Sequence, residues 1–135
     1  MGYSLQNQLA ALFDLHKLKY ELQGLTEGKN RPDFLFPSSQ SYHDANFAPS
    51  PLAMLGAKSS LKERWRQVLT EAEKIPNKHL CTLEPGISTP QTDDIKSHGI
   101  QLVIPNSFHK TYTDNQRQSL WTVSEFIEYI KKIQN

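Results

Sequence analysis

The sequence predicts one α/β layered domain, and three observations lead there. Its 135 residues are near the usual size of a single domain and suffice to bury a real core. Short apolar or alternating runs, several fenced by proline or glycine, interleave with segments whose apolar residues recur at helical spacing. No internal repeat, and no linker long enough to divide the chain, interrupts the series. With 37% hydrophobic and 21% charged residues the composition is that of a globular chain rather than a disordered tail, and no apolar run approaches membrane-spanning length.

Leu5, Leu9, Leu12 and Phe13 predict an amphipathic helix over residues 3–16. Residues 18–22 alternate and read as a first strand. The polar, glycine-containing stretch 24–30 is a turn, and residues 33–36, short and apolar between Pro32 and Pro37, are a second strand. Residues 37–51, rich in Ser, Asn and Pro, form a long loop of the kind that is often functional. Residues 52–57 return as a buried strand. A helix follows, with Ser59 or Ser60 as its cap and Glu63 completing a capping box with Ser60. Leu61, Trp65, Val68, Leu69 and Ala72 make its buried stripe. At about 100° per residue this places Arg64 and Glu71 together on one flank, with Lys62 and Arg66 on the other. Pro76 ends the helix, residues 79–83 form a strand, 91–97 a short helix and 100–104 another strand. A last helix over 123–133 buries Val123, Phe126, Ile127, Ile130 and Ile133.

The formal net charge is only +1, which by itself does not mark a nucleic-acid binder. Residues 58–66 nevertheless hold Lys58, Lys62, Arg64 and Arg66 against one Glu63, a local excess that phosphate could feel, although from charge alone a solvated helix face is the plainer reading. Met1-Gly2-Tyr3 leads into an amphipathic segment without the charged-then-apolar pattern of a secretory signal, and Cys81 is the only cysteine; both fit a reducing cytoplasm. His16, His43, His79, His98 and His109 show no metal-ligand spacing, and no glycine-rich phosphate loop is present.

Three residues stand where a metal-dependent nuclease would need them. Asp33 sits at the mouth of the second strand, Lys58 closes the run Leu52-Ala53-Met54-Leu55-Gly56-Ala57, and Glu71 lies on the following helix. Two strand ends and a helix flank can converge, and two carboxylates with an ammonium at one sheet edge suit a hard divalent cation, a water and a phosphodiester. Each residue taken singly also has a plain structural reading: a turn-forming aspartate, a solvated lysine at a strand terminus, a surface glutamate.

Taken together, the chain resembles the C-terminal catalytic domain of EcoRII-type type II restriction endonucleases, a branch of the PD-(D/E)xK nucleases. The resemblance rests on Arg31-Pro32-Asp33-Phe34-Leu35-Phe36-Pro37-Ser38, Tyr42, the run Leu55-Gly56-Ala57-Lys58-Ser59-Ser60-Leu61-Lys62-Glu63-Arg64-Trp65-Arg66-Gln67-Val68, Glu71-Ala72, Lys78-His79-Leu80 and Gln101-Leu102-Val103-Ile104-Pro105. It implies a three-layer α/β/α domain with a central mixed sheet, and hydrolysis of phosphodiesters in duplex DNA with Mg²⁺ at a CC-GG-type site. In the common form of the motif a second carboxylate precedes the lysine by two residues, where this chain has Gly56; in the EcoRII-like branch a glutamate on the next helix replaces it, the position of Glu71. Asp33 and Glu71 would hold Mg²⁺, Lys58 would face the attacking water and the phosphate, and Tyr42 matches a tyrosine near the active site. Lys62 and Glu63 match the pair that reads C:G base pairs in the major groove, and Arg64 and Arg66 are candidates for phosphate contacts, a surface ion pair being the plainer reading.

Two departures from the family pattern bear on activity. Gln6 stands where family members carry a glutamate, and the family domain begins further upstream with a basic arm, so residues 1–135 read as a single catalytic domain shortened at its N-terminus. The resemblance implies a homodimer on duplex DNA, without a membrane. Beside the site-specific nuclease stand a catalytically silent DNA-binding or assembly remnant, favoured by Gln6, and a non-specific nuclease of the same fold.

Overall fold

The computed structural model describes residues 2–48, 51–61 and 64–134, residues 2–4 as backbone only. In chain order the elements are α1 (Gly2–Leu15), β1 (Glu21–Leu22), β2 (Phe34–Phe36), α2 (Ser39–His43), β3 (Ala53–Lys58), a 3₁₀ helix (Arg64–Thr70), β4 (Lys78–Thr82), α3 (Thr89–Ser97), β5 (Ile100–Val103), a second 3₁₀ helix (Asn106–Thr111), α4 (Asp114–Arg117) and α5 (Val123–Gln134). The five strands make one mixed sheet in sequential order. β1, β2 and β3 pair antiparallel, with Phe34 opposite Leu55, whereas β3, β4 and β5 run parallel, with Leu55 opposite His79.

Strand pleating sorts side chains onto two faces. Phe34 and Phe36 of β2, Ala53, Leu55 and Ala57 of β3, and Cys81 of β4 meet Leu5, Leu9 and Phe13 of α1 and Phe126, Ile127 and Ile130 of α5. Phe13 is the hub of that layer, its ring 5.0 Å from Phe34 and 5.6 Å from Phe36, both edge-on. On the opposite face Leu35, Met54, Leu80 and Leu102 pack against Leu61, Trp65 and Val68 around the first 3₁₀ helix and Ile95 of α3. The result is the expected α/β/α sandwich around a mixed sheet.

Four expectations shift. The stretch 37–51, expected as a loop, holds the short helix α2, which Ser38 caps by accepting the Ser41 N–H at 3.1 Å. The first strand contracts from residues 18–22 to Glu21–Leu22 because Lys17 takes a left-handed φ of 60° and the Leu18 N–H reaches back 3.0 Å to the Phe13 carbonyl. That helix-terminating turn buries Leu18 in the α1/α5 layer instead of in a strand. The short helix before β5 begins earlier, at Thr89, because Ser88 caps it and Pro90 suits its first turn. The segment after β3 is not the long α-helix its stripe suggested; among the described residues helix is confined to the 3₁₀ turns over Arg64–Thr70, so Ser60 does not open it. Its apolar residues still find the core: Leu61, Trp65, Val68 and Ala72 are buried and Leu69 is half-buried.

His79, buried on β4, is surrounded by Trp121, Phe126 and Tyr129, with ring centroids 5.3, 5.2 and 5.1 Å away. Burial pushes its imidazole down to about 4, against an opposing hydrogen bond with the Met54 backbone. The folded state therefore keeps His79 neutral while the unfolded chain takes up a proton below its ordinary pKa of about 6.5, so the stability His79 contributes is full above that value and is lost as pH falls towards 4. Unfolding free energy measured by urea titration should drop by about 3 kcal/mol between pH 7 and pH 4 from this group. His79→Phe, which keeps a ring in the aromatic cluster, should remove that part of the slope.

Candidate active site

Antiparallel pairing of β2 with β3 places the beginning of one beside the end of the other. Asp33, one residue ahead of β2, therefore meets Gly56, Ala57 and Lys58. Asp33 Oδ2 accepts the Ala57 N–H at 2.7 Å and lies 3.3 Å from Lys58 Nζ, and its backbone carbonyl accepts the Gln23 N–H at 3.0 Å. Gln6, on α1, donates its amide to Asp33 Oδ1 at 3.4 Å. The Lys58 and Asp33 side chains are only 10% and 17% exposed, so the pair sits where solvent screens it weakly.

Gly56 explains why the acid found two residues before the lysine in the common motif cannot stand here. A Cβ on Gly56 would come within 2.8 Å of Val68 Cγ1 and 3.2 Å of Leu80 Cδ1, a space already filled by the 3₁₀ layer. That layer also carries Glu71. Along a 3₁₀ helix residues three apart eclipse, so Glu71, one residue past its end, falls in line with Trp65 and Val68, the two side chains that face the sheet. On the expected α-helix Glu71 would have shared a flank with Arg64; here the two part, Arg64 exposed and Glu71 half-buried.

Glu71 Oε1 is buried without a hydrogen-bond partner. Burial pushes its carboxyl up to about 7, the Lys58 ammonium works against that rise, and the Asp33 carboxylate adds to it. A buried acid with an unused oxygen, facing a second acid and a lysine, is short of positive charge, and this donor set fits a hard cation. Among the described residues no group of three or more His, Cys, Asp and Glu is clustered for a metal; two carboxylates with waters and substrate oxygens are the usual holding of Mg²⁺.

Asp33, Lys58 and Glu71 thus come together, with Gln6 beside them. Tyr42 is buried in α2, and its hydroxyl donates to Glu27 and accepts the Lys74 N–H at 2.9 Å; none of its hydrogen bonds reaches the three. Arg66 lies over the Trp65 ring and pairs with Asp94 of α3 at 3.3 Å. Lys62 and Glu63 lie outside the described residues. Sequence reading missed Thr26, Glu27, Asn30 and Lys78, which all bond the stretch 70–75 around Glu71. Only Lys78 carried a signal, as a lysine heading a wholly buried strand.

A mixed sheet between two helical layers is also the fold of restriction endonucleases. The fold is shared with Ecl18kI in metal-depleted complexes with uncleaved DNA, where 98% of this chain and 44% of the other align with a TM-score of 0.81 at 20% identity for the modified DNA. PspGI in its substrate DNA complex aligns over 98% of this chain and 60% of the other, with a TM-score of 0.76 at 16% identity. Closer kinship lies in sequence. Residues 1–127 match the family described as EcoRII C terminal, and 127 residues are 45% identical to the type II restriction enzyme EcoRII of Escherichia coli. The chain belongs to the EcoRII C-terminal family. That alignment covers 93% of this chain and 31% of the enzyme, so the chain spans under a third of its relative's length.

Gly56→Ala should destabilise the protein by about 1–3 kcal/mol, the usual cost of overpacking a filled core. In urea unfolding, Val68→Ala in the same chain should recover part of that loss; an additive pair would mean that Gly56 is not packed against Val68.

Proposed function

We propose that the chain is the catalytic domain of a Mg²⁺-dependent type II restriction endonuclease, hydrolysing phosphodiesters of duplex DNA at a CC-GG-type site and working as a cytoplasmic homodimer. The observation that carries the reading is the meeting of Asp33 and Lys58 at 3.3 Å beside the unpartnered Oε1 of Glu71. Kinship with the EcoRII enzyme supports the activity and the DNA substrate. A site of two related half-sites suits a twofold dimer.

Asp33 and Glu71 hold the cation, and Lys58 presents its ammonium to the attacking water and to charge growing on the phosphate. The cation, when bound, supplies Lewis-acid polarisation and a more acidic water. Lys62 donates to guanine acceptors and Glu63 accepts from cytosine amino groups. Arg64 and Arg66 touch phosphate, Arg66 by exchanging its exposed ion pair with Asp94, which costs little. Tyr42 acts through the stretch that carries Glu71.

The test is cleavage with Mg²⁺ of plasmids bearing CCNGG, CCWGG and control sites. Discrete fragments from site-bearing DNA are expected; a smear on every plasmid would move the protein to the non-specific nucleases. Asp33→Asn, which keeps an acceptor for the Ala57 N–H, Glu71→Gln and Lys58→Ala should each lower cleavage by about 10²-fold or more. Only the first two should weaken Mn²⁺ binding.

One observation favours a second reading, a silent DNA-binding or assembly remnant. Gln6 brings a neutral amide to Asp33, where a carboxylate would have added negative charge for a cation. On this reading the wild type binds duplex without cutting it and Gln6→Glu raises cleavage; efficient cleavage by the wild type, unchanged in Gln6→Glu, would remove it.

A further inference from the structure

The two acids are held in different ways. The Asp33 carboxylate is fixed directly, by the Ala57 N–H, Lys58 and the Gln6 amide. No hydrogen bond among the described residues holds the Glu71 carboxylate, so its position depends on its main chain. That main chain, over residues 70–75, runs from the last residue of the 3₁₀ helix towards β4 and belongs to no sheet ladder.

Side chains take the place of the ladder. Asn30 donates to the Thr70 carbonyl at 2.7 Å and the Thr26 hydroxyl donates to the Glu71 carbonyl. Glu27 Oε1 accepts the Glu73 N–H at 3.2 Å, while its Oε2 accepts the Tyr42 hydroxyl that in turn accepts the Lys74 N–H. Lys78 Nζ gathers the carbonyls of Ala72 and Ile75 at 3.0 and 2.5 Å. Thr26, Glu27 and Asn30 all lie on the loop between β1 and β2, and that loop ends in Asp33. Thr26 is 3% exposed, with its own N–H bonded to the Asn30 carbonyl at 2.9 Å, so the loop is closed on itself before it grips the second segment.

We propose that Thr26 and Glu27 are positioning residues for Glu71, so that the loop ending in one acid sets where the other stands. The inference rests on the reading that Asp33 and Glu71 hold a divalent cation. Its physical content is a fixed separation of the two carboxylates before the cation arrives. Loss of the grip lets the Glu71 main chain move away and leaves the cation with one well-placed ligand.

The test is Mn²⁺ binding by the full chain without DNA, read from the electron paramagnetic resonance signal of free Mn²⁺, with thermal unfolding recorded alongside. Thr26→Val, equal in size but without the hydroxyl, and Glu27→Gln, which cannot accept from both Glu73 and Tyr42, should each weaken binding by about 10- to 100-fold. Thr26→Ser should stay within about threefold of wild type, the hydroxyl being what matters. Wild-type affinity in Thr26→Val and Glu27→Gln, or a loss that Thr26→Ser shares, would overturn the proposal. Should Thr26→Val fail to fold, Glu27→Gln decides alone. The underlying reading fails differently: a wild type that takes up no Mn²⁺, or an Asp33→Asn protein that binds as wild type does, removes the cation site itself.

Discussion

The rest of the site leans on the 2.7 Å hydrogen bond from the Ala57 N–H to Asp33 Oδ2. Just ahead of the start of β2, a side-chain carboxylate supplies the next rung of the ladder along β3, so the strand edge stays satisfied and an acid is fixed at the sheet end. Lys58, one residue on, then meets that acid at 3.3 Å with both side chains largely shielded from water. Removing one partner of such a pair is costly because the other charge is left uncompensated. The change from antiparallel to parallel pairing at β3 completes the arrangement, since β4 beside it delivers Leu80 to the patch of sheet covered by Val68.

Much of this was legible because it depends on period and punctuation. The apolar run ending in Gly56-Ala57-Lys58 announces a buried strand with an ammonium at its end, and the prolines around residues 33–36 announce a short strand with an acid at its mouth. Both are local patterns, and both acid and lysine arrive where strand pairing must bring them. The helical stripe was legible as a list of buried positions but not as a helix type: Leu61, Trp65, Val68 and Ala72 serve an α-helix or a chain of 3₁₀ turns about equally well. Only the tertiary fit against Gly56 and Leu80 selects the tighter turn, and with it the direction of Glu71.

The remainder was hidden because it is made of polar contacts between segments distant in sequence. Thr26 and Asn30 look like ordinary turn residues, and Glu27 like a solvated one, until residues 70–73 are laid against them. Tyr42 shows the same limit. Its position in the family pattern predicted nearness to the chemistry, whereas its hydroxyl engages Glu27 and Lys74, inside the frame that carries Glu71. A residue matched to a family position can thus stand one layer behind Asp33, Lys58 and Glu71.

Cys81 has a practical consequence. It is the only cysteine of the chain, has no solvent exposure, and burial pushes its thiol up to about 12. A fully buried thiol held protonated at neutral pH is out of reach of alkylation or peroxide chemistry. The native fold is a silent background for maleimide labelling. A cysteine introduced at an exposed position such as Arg64 would be the sole reactive thiol, and a fluorophore or cross-linker could be attached there without first removing anything from the core.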